Sequence, residues 1–135
     1  PTIEGEVNNI LAQLVDFQML FEMDGKNINN YIVYDDDNIW PLELSSGMER
    51  FISSLAIRVG LINVSNLPRS NFLAIDEGWG TMDSDNLNSV YSLFQYLKSQ
   101  FQFTLIVSHI DSMRDAVDTL LEVKKENGFS NINFR

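Results

Sequence analysis

Cysteine is absent from the 135-residue sequence, which excludes disulfide staples, cysteine-ligated zinc and thiol nucleophiles. Basic residues are scarce: nine Lys and Arg stand against nineteen Asp and Glu, for a net charge of −10. Such a surface repels phosphate backbones on average, so the chain alone is a poor candidate for a broad nucleic-acid face. Local contact with a nucleotide, or nucleic-acid binding through a partner, stays open. No apolar run approaches the ~20 residues of a membrane span. No basic stretch followed by an apolar one marks a secretory signal. The sequence opens at Pro1 without an initiator Met, which is expected of a fragment or a processed form. What is present is a globular composition, 44% hydrophobic and 11% aromatic, enough to build the core of one ordinary domain.

Hydrophobic spacing divides the chain. Ile3, Val7, Ile10 and Leu14 predict a helix over 2–16, either a coiled-coil seam or one face of a helix packed on a domain. From Phe17 the period drops to two. Asp24-Gly25-Lys26 is a turn signal and Asn30 to Tyr34 reads as a returning strand, so an antiparallel hairpin is expected. Asp35-Asp36-Asp37 reads as a solvated loop, with a metal-binding carboxylate run as the weaker alternative. Residues 46–63 form a helix whose apolar face is Phe51, Ile52, Leu55, Ala56, Val59 and Ile62. Phe72 to Ile75 is a short apolar run closed by Asp76-Glu77, expected to be a strand buried on both faces. A helix over 83–100 presents Leu87, Val90, Tyr91, Phe94 and Leu97. Phe103 to Val107 is a second buried strand, ending at Ser108-His109. Asp111 is expected to N-cap a short helix through Val117. Thr119–Lys124 and Phe129–Phe134 form a closing pair of strands around Asn127-Gly128.

Strand, helix and strand in that order make a βαβ unit with parallel strands. Ligands of such sheets bind outside the carboxyl ends of the strands. Asp76, Glu77 and His109 are therefore expected on one rim. There Asp76 could hold Mg²⁺, a cation that prefers hard oxygen ligands. Glu77 could act as general base toward a water, and His109, the only histidine, could donate to a phosphate. A second feature is Leu44-Ser45-Ser46-Gly47-Met48-Glu49-Arg50. A Ser-Ser-Gly turn entering a helix leaves backbone N–H groups free at the positive end of the helix dipole, which suits a phosphate. The same residues hold a Ser-x-x-Glu capping box, Ser46 with Glu49, and both roles are compatible.

Taken in order, these parts resemble a family. Leu44-Ser45-Ser46-Gly47 resembles the signature motif of ABC-type ATPases, Phe72 to Glu77 their Walker B strand, Gly80-Thr81-Met82-Asp83 the D-loop, and Ile106-Val107-Ser108-His109 the switch-histidine strand. The helix containing Leu55-Ala56-Ile57-Arg58 resembles the SMC and SbcC-like branch, ATPases of DNA double-strand-break repair with long coiled coils. The resemblance covers about residues 40–125. It implies an α/β fold, the C-terminal half of an ABC-type head, with a parallel βαβ core, a helix at the base of a coiled coil (1–16), a hairpin and linker (17–43) and the motif-bearing region (44–135).

The chain has no G-x-x-x-x-G-K-[ST] loop, so the resemblance implies that an N-terminal half supplies the Walker A phosphate cradle. It further implies ATP and Mg²⁺ as ligands, with Asp76 supporting the metal and Glu77 as base. Ser45, Ser46 and Gly47 would contact the nucleotide of an opposing head in a homodimer. Asp83 would lie at the dimer interface, His109 would sense the γ-phosphate, and Arg58 would relay closure. A repair nuclease and DNA are implied partners, with no membrane. The implied location is intracellular: cytoplasmic or nucleoid-associated in a prokaryote or phage, nuclear in a eukaryote. Three departures stand out: Ser46 in place of the first signature glycine, Met48 in place of a polar residue, and Trp79 in the D-loop. Rival readings are a nucleotide-binding subunit of an ABC transporter, a Mg²⁺-dependent nuclease or topoisomerase-like module using Glu77 with Asp83 and Asp85, and a structural SMC-like head without useful turnover.

Overall fold

A computed structural model describes residues 2–76 and 87–135. Helix α1 (Thr2–Leu11) is followed by an antiparallel meander of β1 (Gln18–Asp24), β2 (Asn27–Asp35) and β3 (Asn38–Pro41). A short 3-10 turn (Leu42–Leu44) leads into α2 (Gly47–Val64), then β4 (Phe72–Asp76), α3 (Leu87–Gln100) and β5 (Phe103–Val107). A 3-10 helix over Asp111–Ala116 and the hairpin of β6 (Leu121–Glu126) and β7 (Phe129–Phe134) complete the described chain.

α1 is shorter than expected. Beyond Leu11 the chain runs through turns, with Gln13 N–H bonding Ile10 O and Leu14 N–H bonding Leu11 O. Val7, Ile10 and Leu11 are buried and Ile3 is 40% exposed. The buried face packs on α2, where Gly60 permits close approach: a Cβ there would lie 3.1 Å from Val7 Cγ2. Two polar side chains of α1 also hold the open edge of β1. Asn8 Nδ2 donates to Met19 O (2.9 Å) and Asn8 Oδ1 accepts from Met19 N–H (2.8 Å). Glu4 accepts from Phe21 N–H at 2.9 Å. Strand N–H groups that would otherwise lack partners are thereby satisfied.

The hairpin expected after Phe17 is present, pairing Gln18 with Val33 through Asp24 with Asn27, and Gly25 takes the positive φ of its turn (61°). β3 was not anticipated. The three aspartates form a tight turn rather than an open loop: the Asp35 carboxylate accepts from Asp37 N–H (3.0 Å) and Asn38 Nδ2 (2.7 Å), and the chain returns along β2. Those bonds, the Asn38 side chain first, hold the Asp35 carboxyl below its usual range.

β4 and β5 are parallel and in register, Phe72 opposite Phe103 and Asp76 opposite Val107. The expectation that they are buried on both faces is not met. Ile75 is buried and Leu73 and Ile106 pack on the core, but the opposite face leaves Phe72 (57%) and Phe103 (58%) exposed, with Leu105 and Val107. The two-stranded sheet is covered on one side only. α3 is also turned slightly from the expected phase: Val90, Leu93, Phe94 and Leu97 are buried, and Tyr91 is exposed. Asp111 is not a cap. It sits in the first turn after Ile110, and its carboxylate pairs with Arg114 at 3.0 Å. The closing hairpin turns at Asn127 (φ 52°) and Gly128 (φ 83°), the left-handed pair an Asn-Gly turn requires. Its apolar face, Leu121 and Phe134 with Val123 and Ile132, is exposed. No helix among the described residues is long and apolar enough to cross a membrane.

Candidate functional site

The first site element is the entry to α2. Ser45 ends the 3-10 turn, and its hydroxyl donates to Leu42 O at 2.6 Å. That donor is engaged within the chain. Ser46 is the N-cap, with φ −64° and ψ 161°, an extended conformation open to any residue, so a serine at this position costs no backbone strain. Both halves of the capping box are present: Glu49 N–H donates to Ser46 Oγ (3.2 Å) and Ser46 N–H donates to Glu49 Oε2 (2.6 Å). The box satisfies two donors of this helix end. Gly47 and Met48, the first and second helical residues, have no helical acceptor for their N–H groups. The Met48 side chain is buried, 7% exposed. It packs inward, so the polar side chain missing at that position is replaced by core volume.

The α2 entry borders a cleft of about 460 Å³ lined by residues 12–17 together with Tyr34, Ser46, Glu49 and Ser89. One contact there has no sequence signal: Tyr34 Oη donates to Glu49 Oε1 at 2.5 Å. Burial, then the bond to Glu49, pushes the Tyr34 hydroxyl up to about 12. Burial acts to raise the Glu49 carboxyl, but hydrogen bonds from Tyr34 and Ser46 outweigh it, and the net direction is down.

The second element is the carboxyl edge of the parallel pair. Asp76 is the last residue of β4, exposed, and opposite Val107. Ser108 follows β5; its hydroxyl accepts from Ile110 N–H at 3.1 Å and turns the chain, leaving His109 exposed beyond the strand end. Asp76 and His109 thus share one edge of one sheet, as the βαβ reading requires. Neither lines the cleft at the α2 entry, so the two elements are separate places on this chain. Glu77 and Asp83 lie outside the described residues, as does Trp79. Among the described residues no three acidic or histidine side chains cluster to hold a metal. Asp76 alone fits a cation that takes one carboxylate and fills its remaining positions with phosphate and water, the habit of Mg²⁺. The Asp35–Asp37 run is used as a turn.

Comparison with known proteins follows this geometry. The chain is 36% identical over 148 aligned positions to protein R555 of Acanthamoeba polyphaga mimivirus, covering 98% of this chain and 11% of that protein. It is 32% identical over 94 positions to the SbcC component of the SbcCD nuclease of Staphylococcus aureus, covering 67% of this chain and 9% of that component. The chain therefore spans about a tenth of the length of the curated relatives it matches. Among solved structures, one from work on ATP-driven dimerization and DNA-stimulated activation of SMC ATPases superposes with a TM-score of 0.79 at 16% identity, over 99% of this chain and 83% of that one. No protein-family model matches the chain. The fold is the mixed α/β fold of an SMC ATPase head, and the sequence is similar to an SbcC protein over two thirds of its length.

Proposed function

We propose that this chain is the C-terminal lobe of an ATP-hydrolysing head of the SMC/SbcC type, active in DNA double-strand-break processing together with a nuclease. The observation that carries the reading is the parallel register of β4 and β5, which sets Asp76 and His109 at one sheet edge. Similarity to an SbcC protein favours the repair branch over a purely structural chromosome ATPase.

The exposed sheet faces support the rest of the assembly. Aromatic side chains such as Phe72, Phe103 and Phe134 (78% exposed) lie on exposed sheet faces. Burying such surface contributes about 25 cal/mol per Å², and the lobe that carries the Walker A loop is the proposed cover. Its lysine and Gly-rich turn would hold the phosphates. Asp76 would bind Mg²⁺, which supplies charge neutralisation on the phosphate oxygens. Glu77 would take the proton of the attacking water, and His109 would donate a hydrogen bond where negative charge develops on the γ-phosphate. Gly47 and Met48 N–H groups, with Ser45 and Ser46, would meet the γ-phosphate held by a second head, so that nucleotide joins the two. Asp83 would sit where the heads meet, and Arg58 in α2 would pass closure toward α1 and a coiled coil joined to it. A chain of charge −10 leaves DNA contact to other parts of the protein or its partners, inside the cell.

A direct test places a bulky cation at the cap. In a head assembled with its N-terminal lobe, Ser46→Arg should abolish ATP-dependent dimerisation in analytical ultracentrifugation and leave nucleotide binding by the single head within about twofold, because the side chain fills the space reserved for the second head's phosphate. Dimerisation at the parent ATP concentration would remove the signature assignment.

A further inference from the structure

Tyr34 occupies an irregular position. In the β2–β3 ladder Val33 lies opposite Ile39 and Asp35 opposite Asn38, so Tyr34 is the extra residue of a β-bulge. A bulge breaks the alternation of a strand and re-aims one side chain. The ring is then fixed by an edge-on contact with buried Phe17, 5.6 Å between centroids at 61°. Thus held, the hydroxyl donates to Glu49 Oε1 at 2.5 Å, within the range of a hydrogen bond to an ionised carboxylate. The other oxygen of the same carboxylate accepts from Ser46 N–H at 2.6 Å. One carboxylate therefore links the meander to the first turn of α2.

From this we infer that Tyr34 is a positioning residue: through Glu49 it sets the direction in which the Ser45-Ser46-Gly47 turn presents the Gly47 and Met48 N–H groups to a triphosphate on a second copy of the head. The inference rests on the reading of that turn as a phosphate contact. A capping box alone fixes the turn relative to its own helix. The brace fixes it relative to the sheet, and hydrogen-bond donors must be held within about 0.5 Å to be useful against an anion. The shifts of both groups agree with a neutral phenol on an ionised carboxylate across the physiological range.

Tyr34→Phe keeps the ring and its contact with Phe17 and removes only the hydroxyl. In the assembled head carrying Glu77→Gln, which slows loss of ATP, the nucleotide concentration for half-maximal dimerisation should rise about 5- to 10-fold, the effect of losing one ordinary hydrogen bond at an exposed site. Nucleotide affinity of the single head should stay within about twofold. Glu49→Ala removes brace and cap together and should dimerise no better than Tyr34→Phe, and the double variant should be no worse than Glu49→Ala, because the two residues act as one unit. Should Glu49→Ala fail to fold, the single Tyr34→Phe comparison still decides. A lowered melting temperature with an unchanged ATP requirement, or additive losses, would overturn the brace. If the Glu77→Gln head does not dimerise with ATP at all, the phosphate-contact reading falls and takes the brace with it. If it dimerises and Tyr34→Phe matches it, only the brace falls.

Discussion

Glu77→Gln should slow ATP turnover of the assembled head by about 10²–10⁴-fold, the range lost when a positioned general base is removed. Binding should be nearly unaffected, because glutamine keeps the shape of the side chain and loses only its capacity to accept the proton of water. The two effects together accumulate the ATP-bound dimer, which size-exclusion chromatography with light scattering would detect as a doubled mass that ADP does not produce. Asp76 gives this expectation its basis: it closes β4 in register with β5, at the same edge as Ser108 and His109, and Glu77 is the next residue in the sequence. Unchanged turnover would remove Glu77 from the chemistry.

Leu97→Ala should destabilise the lobe by about 2–5 kcal/mol, read as a lowered denaturant midpoint with little change in slope. Leu97 is 1% exposed and sits on α3, the crossover that joins β4 to β5, so the cavity weakens the element that holds the strands parallel. Tyr91→Ala on the same helix should cost about 0.5 kcal/mol or less, since that ring is 42% exposed. The contrast tests the phase of α3. Equal losses at the two positions would contradict the burial described here, and would also mean that the exposed side of α3 is covered by something else.

The sequence spacing placed both residues on one apolar face, and the difference between them shows what periodicity can and cannot carry. A 3.6-residue period locates a helix and its general side, but Leu93 and Tyr91 fall near the edges of that stripe, and packing decides which edge is inside. The βαβ unit was legible because Phe72–Ile75 and Phe103–Val107 are short runs, apolar but for Thr104, separated by one helix. Its exposure was not, because an apolar run signals burial and says nothing of whether this chain supplies the cover. The capping box of Ser46 and Glu49 was legible from four residues because its geometry is local.

Two features of the meander were missed. β3 was hidden because three aspartates read as a solvated loop, whereas the Asp35 carboxylate closes a turn on its own backbone. The Tyr34 brace arises from a bulge, which is a relation between two strands and leaves no mark in either one. Within the candidate site the sequence placed Asp76 and His109 on a common edge correctly and identified the α2 entry as an N-terminus with open N–H groups. It did not reveal that the Ser45 hydroxyl is already bonded to Leu42 O. In the proposed phosphate contact, that leaves the N–H groups of Gly47 and Met48, which have no helical acceptor, as the donors at hand.

Steady-state ATP turnover as a function of head concentration tests the composite site most directly. The chain mixed with the proposed Walker A lobe should hydrolyse ATP with a specific rate that rises with head concentration and saturates, while either lobe alone is silent, because in the proposed site each nucleotide takes groups from two copies. Turnover by this chain alone, or a specific rate indifferent to concentration over the range where heads pass from monomer to dimer, would contradict it.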